Sequence, residues 1–390
     1  DLLRGGFGAT AKFPQAPQLA ALLDVQAARP DAHVAEFLRL TLDQMADRGL
    51  FDHLAGGFFR YTVDPDWQQP HFEKMLYDNA QLALIYGRAA RLLGDERHAA
   101  VARRTLDFLM ARMEREGAFV ASLSALDAAG VEGGSYLWPA GRIEALLDAE
   151  EWRAVRALWA LDAAPPFEAG FLPAPQREAS AAEAGLQQSA WAKLAKARSG
   201  SQSPRDEKIV AGWNGLLLAA LAESAGEAHA LAAERLYRFI RSRLWTGQAL
   251  HKGVSGGQAL PGAELEDYAY AAFGVWQYAL ARGDEEARRF ALELQRAAWR
   301  RFHRQGVFHL EARRLLAAGA DAWEDGYLPA PAPVLVGLGL QSGDAGLAAM
   351  ASKALARARG MPSGDPFWRA SLVAILARPG ASTDASRSGR

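Results

Sequence analysis

Apolar residues recur at spacings of three and four along most of the chain, the period of amphipathic helices, and the helical stretches come in pairs. Residues 17 to 29 and 31 to 48 form a first pair. Residues 71 to 93 and 96 to 115 form a second, which turns at Gly94-Asp95. Glycines and β-formers interrupt the pattern at 118 to 138 and predict a short hairpin. Short helices follow around 141 to 160, and then a proline-rich loop from 164 to 176. The helical period resumes at 178 to 197, 207 to 225, 227 to 244, 264 to 282 and 284 to 303, with strand-like pieces at 248 to 252 and 306 to 311. Elements near 333 to 341, 344 to 358 and 366 to 377 complete roughly six hairpins. Alternating helices joined by short turns favour an all-α bundle, solenoid or toroid, and periodicity does not choose among the three. One domain over 1 to 378 is expected, with 199 to 205, SGSQSPR, as a flexible loop and 379 to 390 as a disordered tail.

Charge narrows the partners. With 44 Lys plus Arg against 45 Asp plus Glu, the net charge of −1 gives no general attraction to nucleic acid or anionic membrane. No apolar run approaches the ~20 residues that span a bilayer. The absence of cysteine excludes disulfides and thiolate ligands and points to a cytoplasmic compartment. The eight histidines have no HExxH or His-x-His spacing, no phosphate-cradling GxxxxGK loop is present, and the glycine-rich segment from Gly253 to Gly257 reads as a turn, so neither a metal nor a cofactor is expected.

The densest chemistry lies at 52 to 82, DHLAGGFFRYTVDPDWQQPHFEKMLYDNAQL. Gly56 and Gly57 permit a backbone path closed to other residues, and Pro65 and Pro70 punctuate a loop before a helix expected to open near His71. On that helix His71 and Asp78 fall within about 20° of each other, on an inward stripe with Met75 and Leu82. Glu73 lies about 140° around from Asp78, so the two should not converge, and Glu73 is assigned to the helix N-terminus.

Sugar-processing sites use a carboxyl pair, one acid and one base or nucleophile, which Asp78, Asp127, Glu266 and Asp267 are available to supply. An epimerase needs bases beside a sugar carbonyl, for which His71 and His53 are the candidates. Each acid reads equally as a helix cap or a buried salt bridge. Aromatic rings supply stacking faces for sugars. Phe58, Phe59, Tyr61, Trp67, Trp213, Tyr268 and Tyr270 lie in or beside the candidate loops, with Trp67 and Trp213 favoured because polar residues flank them. Asn214 shares a stripe with Leu218 and Leu221, so its amide either bonds a neighbouring helix or points at a ligand. The working set is His71, Asp78, Glu266 and Asp267 for catalysis, and His53, Tyr61, Trp67, Asp127, Trp213, Asn214 and Tyr268 for substrate binding.

Several separated motifs resemble the thioredoxin-like DUF255 family, which includes the spermatogenesis-associated protein 20 relatives. They are Gly5-Gly6-Phe7-Gly8, Lys12-Phe13-Pro14, the HFEKMLYD run from His71 to Asp78, EKIVAGWNGL at 207 to 216 and LEDYAY at 265 to 270. The resemblance reaches to about residue 280 and implies an (α/α)6 toroid of helical hairpins with short β-hairpin insertions, the architecture of six-hairpin glycosidases and N-acylglucosamine 2-epimerases. It also implies a thioredoxin-like domain upstream in a longer parent chain. Two departures stand out: of the family's acidic ED-x-DS run only Asp127 is kept, within Ser124-Ala125-Leu126-Asp127-Ala128, and a polar loop near the end reads PAPAP at 329 to 333. Two functions follow as expectations. One is a carbohydrate-active enzyme, hydrolase or epimerase-like, acting on a carbohydrate or other small molecule in the central cavity. The other is a noncatalytic binding or scaffold domain attached to the thioredoxin-like partner.

Overall fold

The computed structural model describes residues 1–198, 203–311, 321–359 and 365–378; the expected tail at 379 to 390 and most of the expected loop at 199 to 205 lie outside them. Helix α1 (Ala16–Ala28) pairs with α2 (Ala32–Asp47), and α3 (Leu76–Leu93) with α4 (Glu96–Arg112). A lateral insertion then carries α5 (Ala140–Glu144), α6 (Ala149–Leu158) and α7 (Ala181–Arg198) around its own core of Trp138, Ile143, Val155, Leu158, Trp159 and Leu194. The hairpins resume with α8 (Ala211–Glu223) and α9 (Glu227–Phe239), α10 (Leu265–Arg282) and α11 (Glu285–Phe302), and α12 (Pro331–Gln341) and α13 (Ala345–Arg359), before α14 (Ala370–Ala377). Helices α1, α3, α8, α10, α12 and α14 touch in that order, and α14 returns to α1, which closes an inner ring. The chain is therefore an all-α toroid with short antiparallel β-hairpin insertions.

The division between rings follows from composition. Outer helix α11 buries Ala287, Phe290, Ala291, Leu294 and Ala298 on one face and leaves its charges outside, whereas inner helix α8 buries ten of its thirteen residues. Three inner-to-outer turns are sharp because a left-handed glycine follows one helix and an aspartate starts the next. Gly94 (φ 69°) and Gly283 (φ 61°) close α3 and α10, and the Asp95 and Asp284 carboxylates accept the first backbone N–H groups of α4 and α11. Gly343 and Asp344 repeat the device at the start of α13. Helices α8 and α10 approach closest: a Cβ on Gly274 would stand 2.0 Å from the Gly215 carbonyl oxygen.

One expected boundary is corrected. Helix α3 opens at Leu76, not near His71, because residues 70 and 71 pair antiparallel with 62 and 61, and residues 74 and 75 with 123 and 122. Pairing with distant strands outcompetes local helix preference. His71 and Asp78 thus share no helical stripe, and the wheel argument that separated Glu73 from Asp78 does not apply. No described helix is long and apolar enough to cross a membrane.

Candidate functional site

Because each outer helix returns the chain, all inner helices run in one sense, and their N-termini gather at one mouth of the toroid with the loops that precede them. Asp78 is the third residue of α3 at this mouth. It is 8% exposed, and its Oδ2 has no hydrogen-bond partner. Burial pushes its carboxyl well above the usual carboxylate range, Glu73 pushes the same way, and Arg60 opposes both. Arg60 reaches in from the loop before α3. Its Nη1 donates to Glu73 Oε2 at 2.9 Å, its guanidinium lies beside the Tyr77 hydroxyl and 5.6 Å from the Tyr327 ring centroid, and its Nε is buried without a partner. Burial, then the charge of Asp78, raises the Tyr77 hydroxyl above its ordinary value, so it stays protonated. The Asp78 carboxyl and the Arg60 guanidinium therefore both hold unspent hydrogen-bonding capacity in one place.

Rings wall this cluster. Phe13 stacks on Tyr61 at 4.5 Å and meets Tyr327 at 5.1 Å, Tyr61 stacks on His71 at 5.2 Å, and Trp213 meets Tyr77 edge-on at 4.9 Å. His71 Nδ1 lies 3.1 Å from Glu132 Oε1. Both line an open groove of about 780 Å³ with Gln69, Phe72 and Glu168.

The remaining sequence candidates divide by what their polar atoms already do. Asn214 is fully buried: its Oδ1 accepts the Phe119 N–H at 2.9 Å, and its Nδ2 donates to the Phe119 and Val210 carbonyls, also at 2.9 Å. Tyr268 is buried, and its hydroxyl accepts the Leu250 N–H at 2.8 Å. Trp67 is fully buried and donates its indole N–H to the Arg4 carbonyl, which places it in the core and not at a ligand surface. His53 is buried against Trp191 at 4.5 Å, at the insertion, with Nε2 bonded to the Arg48 carbonyl. Burial, reinforced by Arg104, lowers it to about 4, so it is neutral. It does not meet His71. Asp127 orders the turn that carries Glu132 by accepting the Ala129 and Val131 N–H groups.

Asp267 closes a capping box on α10 by accepting the Glu264 N–H at 2.9 Å, and it accepts the Gly212 N–H of α8 at 3.3 Å; burial, with Glu266 adding, pushes it up to about 7. Glu266 is half-buried and also raised, by burial and by Glu264, against Lys252. The charges that act on Asp78 and those that act on Glu266 are different sets.

Sequence reasoning missed Arg60, Tyr77, Phe13 and Tyr327, and it misplaced Glu73. The available signal for Arg60 was a lone cation inside the aromatic run Phe58-Phe59-Arg60-Tyr61. Elsewhere Asp43, Asp95 and His98 stand close enough to hold a metal ion, but Arg97 already pairs with both carboxylates, at 3.2 and 2.9 Å.

The chain is 36% identical over 156 residues to human spermatogenesis-associated protein 20, and 44% identical over 90 residues to the uncharacterized protein B0495.5 of Caenorhabditis elegans. It is homologous there to the DUF255 proteins. The human match covers 37% of this chain and 20% of the relative's own length, and the nematode match 22% and 12%. No family model matches. Among solved structures, a sugar epimerase from a ruminal bacterium superposes with a TM-score of 0.64 at 12% identity, covering 97% of this chain and 93% of that one. Cellobiose 2-epimerase from Spirochaeta thermophila gives 0.61 at 15%, with 97% and 89% covered. A family 76 α-mannanase from Bacteroides thetaiotaomicron gives 0.56 at 8%, with 95% and 86% covered. At these identities the likeness is one of fold, that of six-hairpin carbohydrate-active enzymes.

Proposed function

We propose that this domain binds a sugar at the inner-helix mouth of the toroid, with Asp78 as the group that hands it a proton. The supporting observation is the orphaned Oδ2 of a buried Asp78, its carboxyl raised well above the usual carboxylate range by burial, beside the unspent Nε of Arg60. An acid whose proton is held more tightly than usual, next to a carboxylate held by a cation, is how two carboxyl groups divide acid and base roles. Asp78 gives its proton either to the leaving oxygen of a glycosidic bond, which breaks as water adds to the anomeric carbon and sheds a proton to solvent, or to the ring oxygen, whose bond to the anomeric carbon breaks as the anomeric hydroxyl sheds its proton to solvent and becomes the carbonyl. Arg60 then stabilises the carboxylate left behind, with its charge already balanced by Glu73 at 2.9 Å. Tyr61, Trp213 and Tyr327 offer stacking faces, and the His71–Glu132 groove accepts further units of a longer substrate. In the parent chain the domain follows a thioredoxin-like domain and works in the cytoplasm.

Among the described residues Glu73 is the carboxylate whose charge acts on Asp78, and its bond to Arg60 favours a second reading, a domain that binds sugar without turning it over. Ligand-observed NMR with mono- and oligosaccharides, on wild type and Asp78→Asn, tests both. Binding that weakens at least tenfold in the variant is expected, and product release or epimer formation separates turnover from binding. No binding across the panel overturns the proposal.

A further inference from the structure

A second cluster, not used by the proposed chemistry, lies beneath the same loop. Lys74 is fully buried; its ammonium donates to Asp52 Oδ2 at 2.8 Å and to the Gly56 carbonyl at 2.9 Å. Arg198, 8% exposed, reaches from the end of α7 and grips the same carboxylate with both Nη groups, at 3.1 and 2.8 Å. Two buried cations thus share one buried anion. The Leu54 and Ala55 N–H groups take further lone pairs of Asp52 Oδ1, so that carboxylate has little capacity left. Burial of uncompensated charge is costly, and the imbalance is felt at Lys74, whose ammonium is lowered to about 8 by burial, with Arg198 and Arg112 acting in the same direction.

Lys74, Arg112 and Arg198, with Asp52, Tyr136 and Ser135, line a partly open space of about 10 Å³, room for the centre of one water-sized or slightly larger occupant. Ser135 is 8% exposed, and its hydroxyl has no partner. The space therefore has the charge, the size and an unspent O–H donor for one small guest.

We propose that this cavity binds a single monovalent anion of halide size. Water would fill the volume but leave the net positive charge unanswered, whereas a halide answers it and takes the Ser135 hydroxyl and the third Lys74 N–H as donors. Occupancy would brace Lys74, and through the strand at 74 and 75 the start of α3 that carries Asp78.

The test replaces gluconate by chloride at fixed ionic strength and pH, follows Tm, and monitors chloride-35 NMR linewidth with bromide as competitor. The wild type is expected to show a saturable rise in Tm and chloride broadening that bromide reverses. Lys74→Met, which removes one cation and its third N–H donor from the space, should lose both effects. Ser135→Ala keeps every charge and should weaken chloride several-fold while folding normally, so a Lys74→Met chain that does not fold leaves the test intact. Equal Tm in the two salts, or a chloride response unchanged in Ser135→Ala, overturns the proposal.

Discussion

Asp267 offers the sharpest test of the electrostatic reasoning, because two opposing effects act on one carboxyl. Two backbone N–H donors, from Glu264 and Gly212, favour its charged form, and near-complete burial favours the neutral form. Burial wins, raising it from 3.8 to about 7. A shift of about 3 units is worth about 4 kcal/mol at 1.36 kcal/mol per unit, and at 1% exposure little of that is screened. Between the two values the folded chain holds a proton that the unfolded chain has released. The stabilising contribution is therefore complete below the unfolded value, shrinks as pH rises and is gone above about 7. Asp267→Asn carries a neutral amide at every pH and keeps one acceptor oxygen, so it gives up one backbone hydrogen bond, at about 1 kcal/mol. In acid the variant should be slightly less stable than wild type. From about pH 5 to pH 8 the gap should swing by about 3 kcal/mol toward the variant, leaving it the more stable protein at alkaline pH. Urea unfolding of both proteins across that range, followed by tryptophan fluorescence, measures the gap directly. A gap independent of pH, or one that swings the other way, would show that the two N–H donors outweigh burial and that Asp267 is an ordinary ionised cap.

Two further outcomes concern the frame around the mouth. Asn214→Ala strips the Phe119 backbone of the amide bonded to its N–H and C=O, at a cost of about 2–4 kcal/mol, read as a fall in Tm; sugar titration below the new transition should match wild type because the amide has nothing left for a ligand. Gly274→Ala puts a methyl 2.0 Å from the Gly215 carbonyl oxygen and must force α8 and α10 apart, lowering the urea midpoint by the equivalent of about 2–3 kcal/mol or more, whereas Gly141→Ala, with open space around its Cβ, should not.

Local signals made most of the toroid readable. The ends of α10 and α11 were legible to within about a residue because Gly283 and Asp284 mark a stop and a start that need no distant partner. The start of α3 was not legible, since it is decided by pairing of His71 with Tyr61 and of Lys74 with Leu123, contacts across sequence separations that periodicity does not see. That one boundary carried the site with it. Moving the helix start from His71 to Leu76 takes Glu73 out of the helix, brings it to Arg60 and so makes it the neighbour of Asp78. The hairpin of 253–255 with 258–260 was displaced for a related reason: Gly256 and Gly257, at φ 57° and 78°, form its turn, whereas the sequence placed a strand before them and only a turn across them.

Three of the six inner helices, α3, α8 and α10, share a rule that explains which mouth residues are frame and which are free to do chemistry. Counting from the N-cap, the fourth residue of α3, α8 and α10 is Asn79, Asn214 and Tyr268. Asn79 accepts the Phe58 N–H at 2.6 Å and donates to the Phe58 and Met75 carbonyls. Asn214 repeats this pattern with Phe119 and Val210, and Tyr268 accepts the Leu250 N–H. In each case the side chain ties the loop left by the preceding outer helix to the inner helix it serves, and a buried backbone group that would otherwise lack a partner gains one. Because the fourth position is committed to the loop, chemistry at the mouth falls to the positions just before it. Those are Tyr77 and Asp78 on α3, Trp213 on α8 and Glu266 on α10. Asp267, the third residue of α10, is drawn back into the frame by its capping box and its bond to Gly212. An asparagine four residues into a helix is thus a better guide to this mouth than any acid taken alone. It fixes the loop, and the fixed loop is what delivers Arg60 to Asp78.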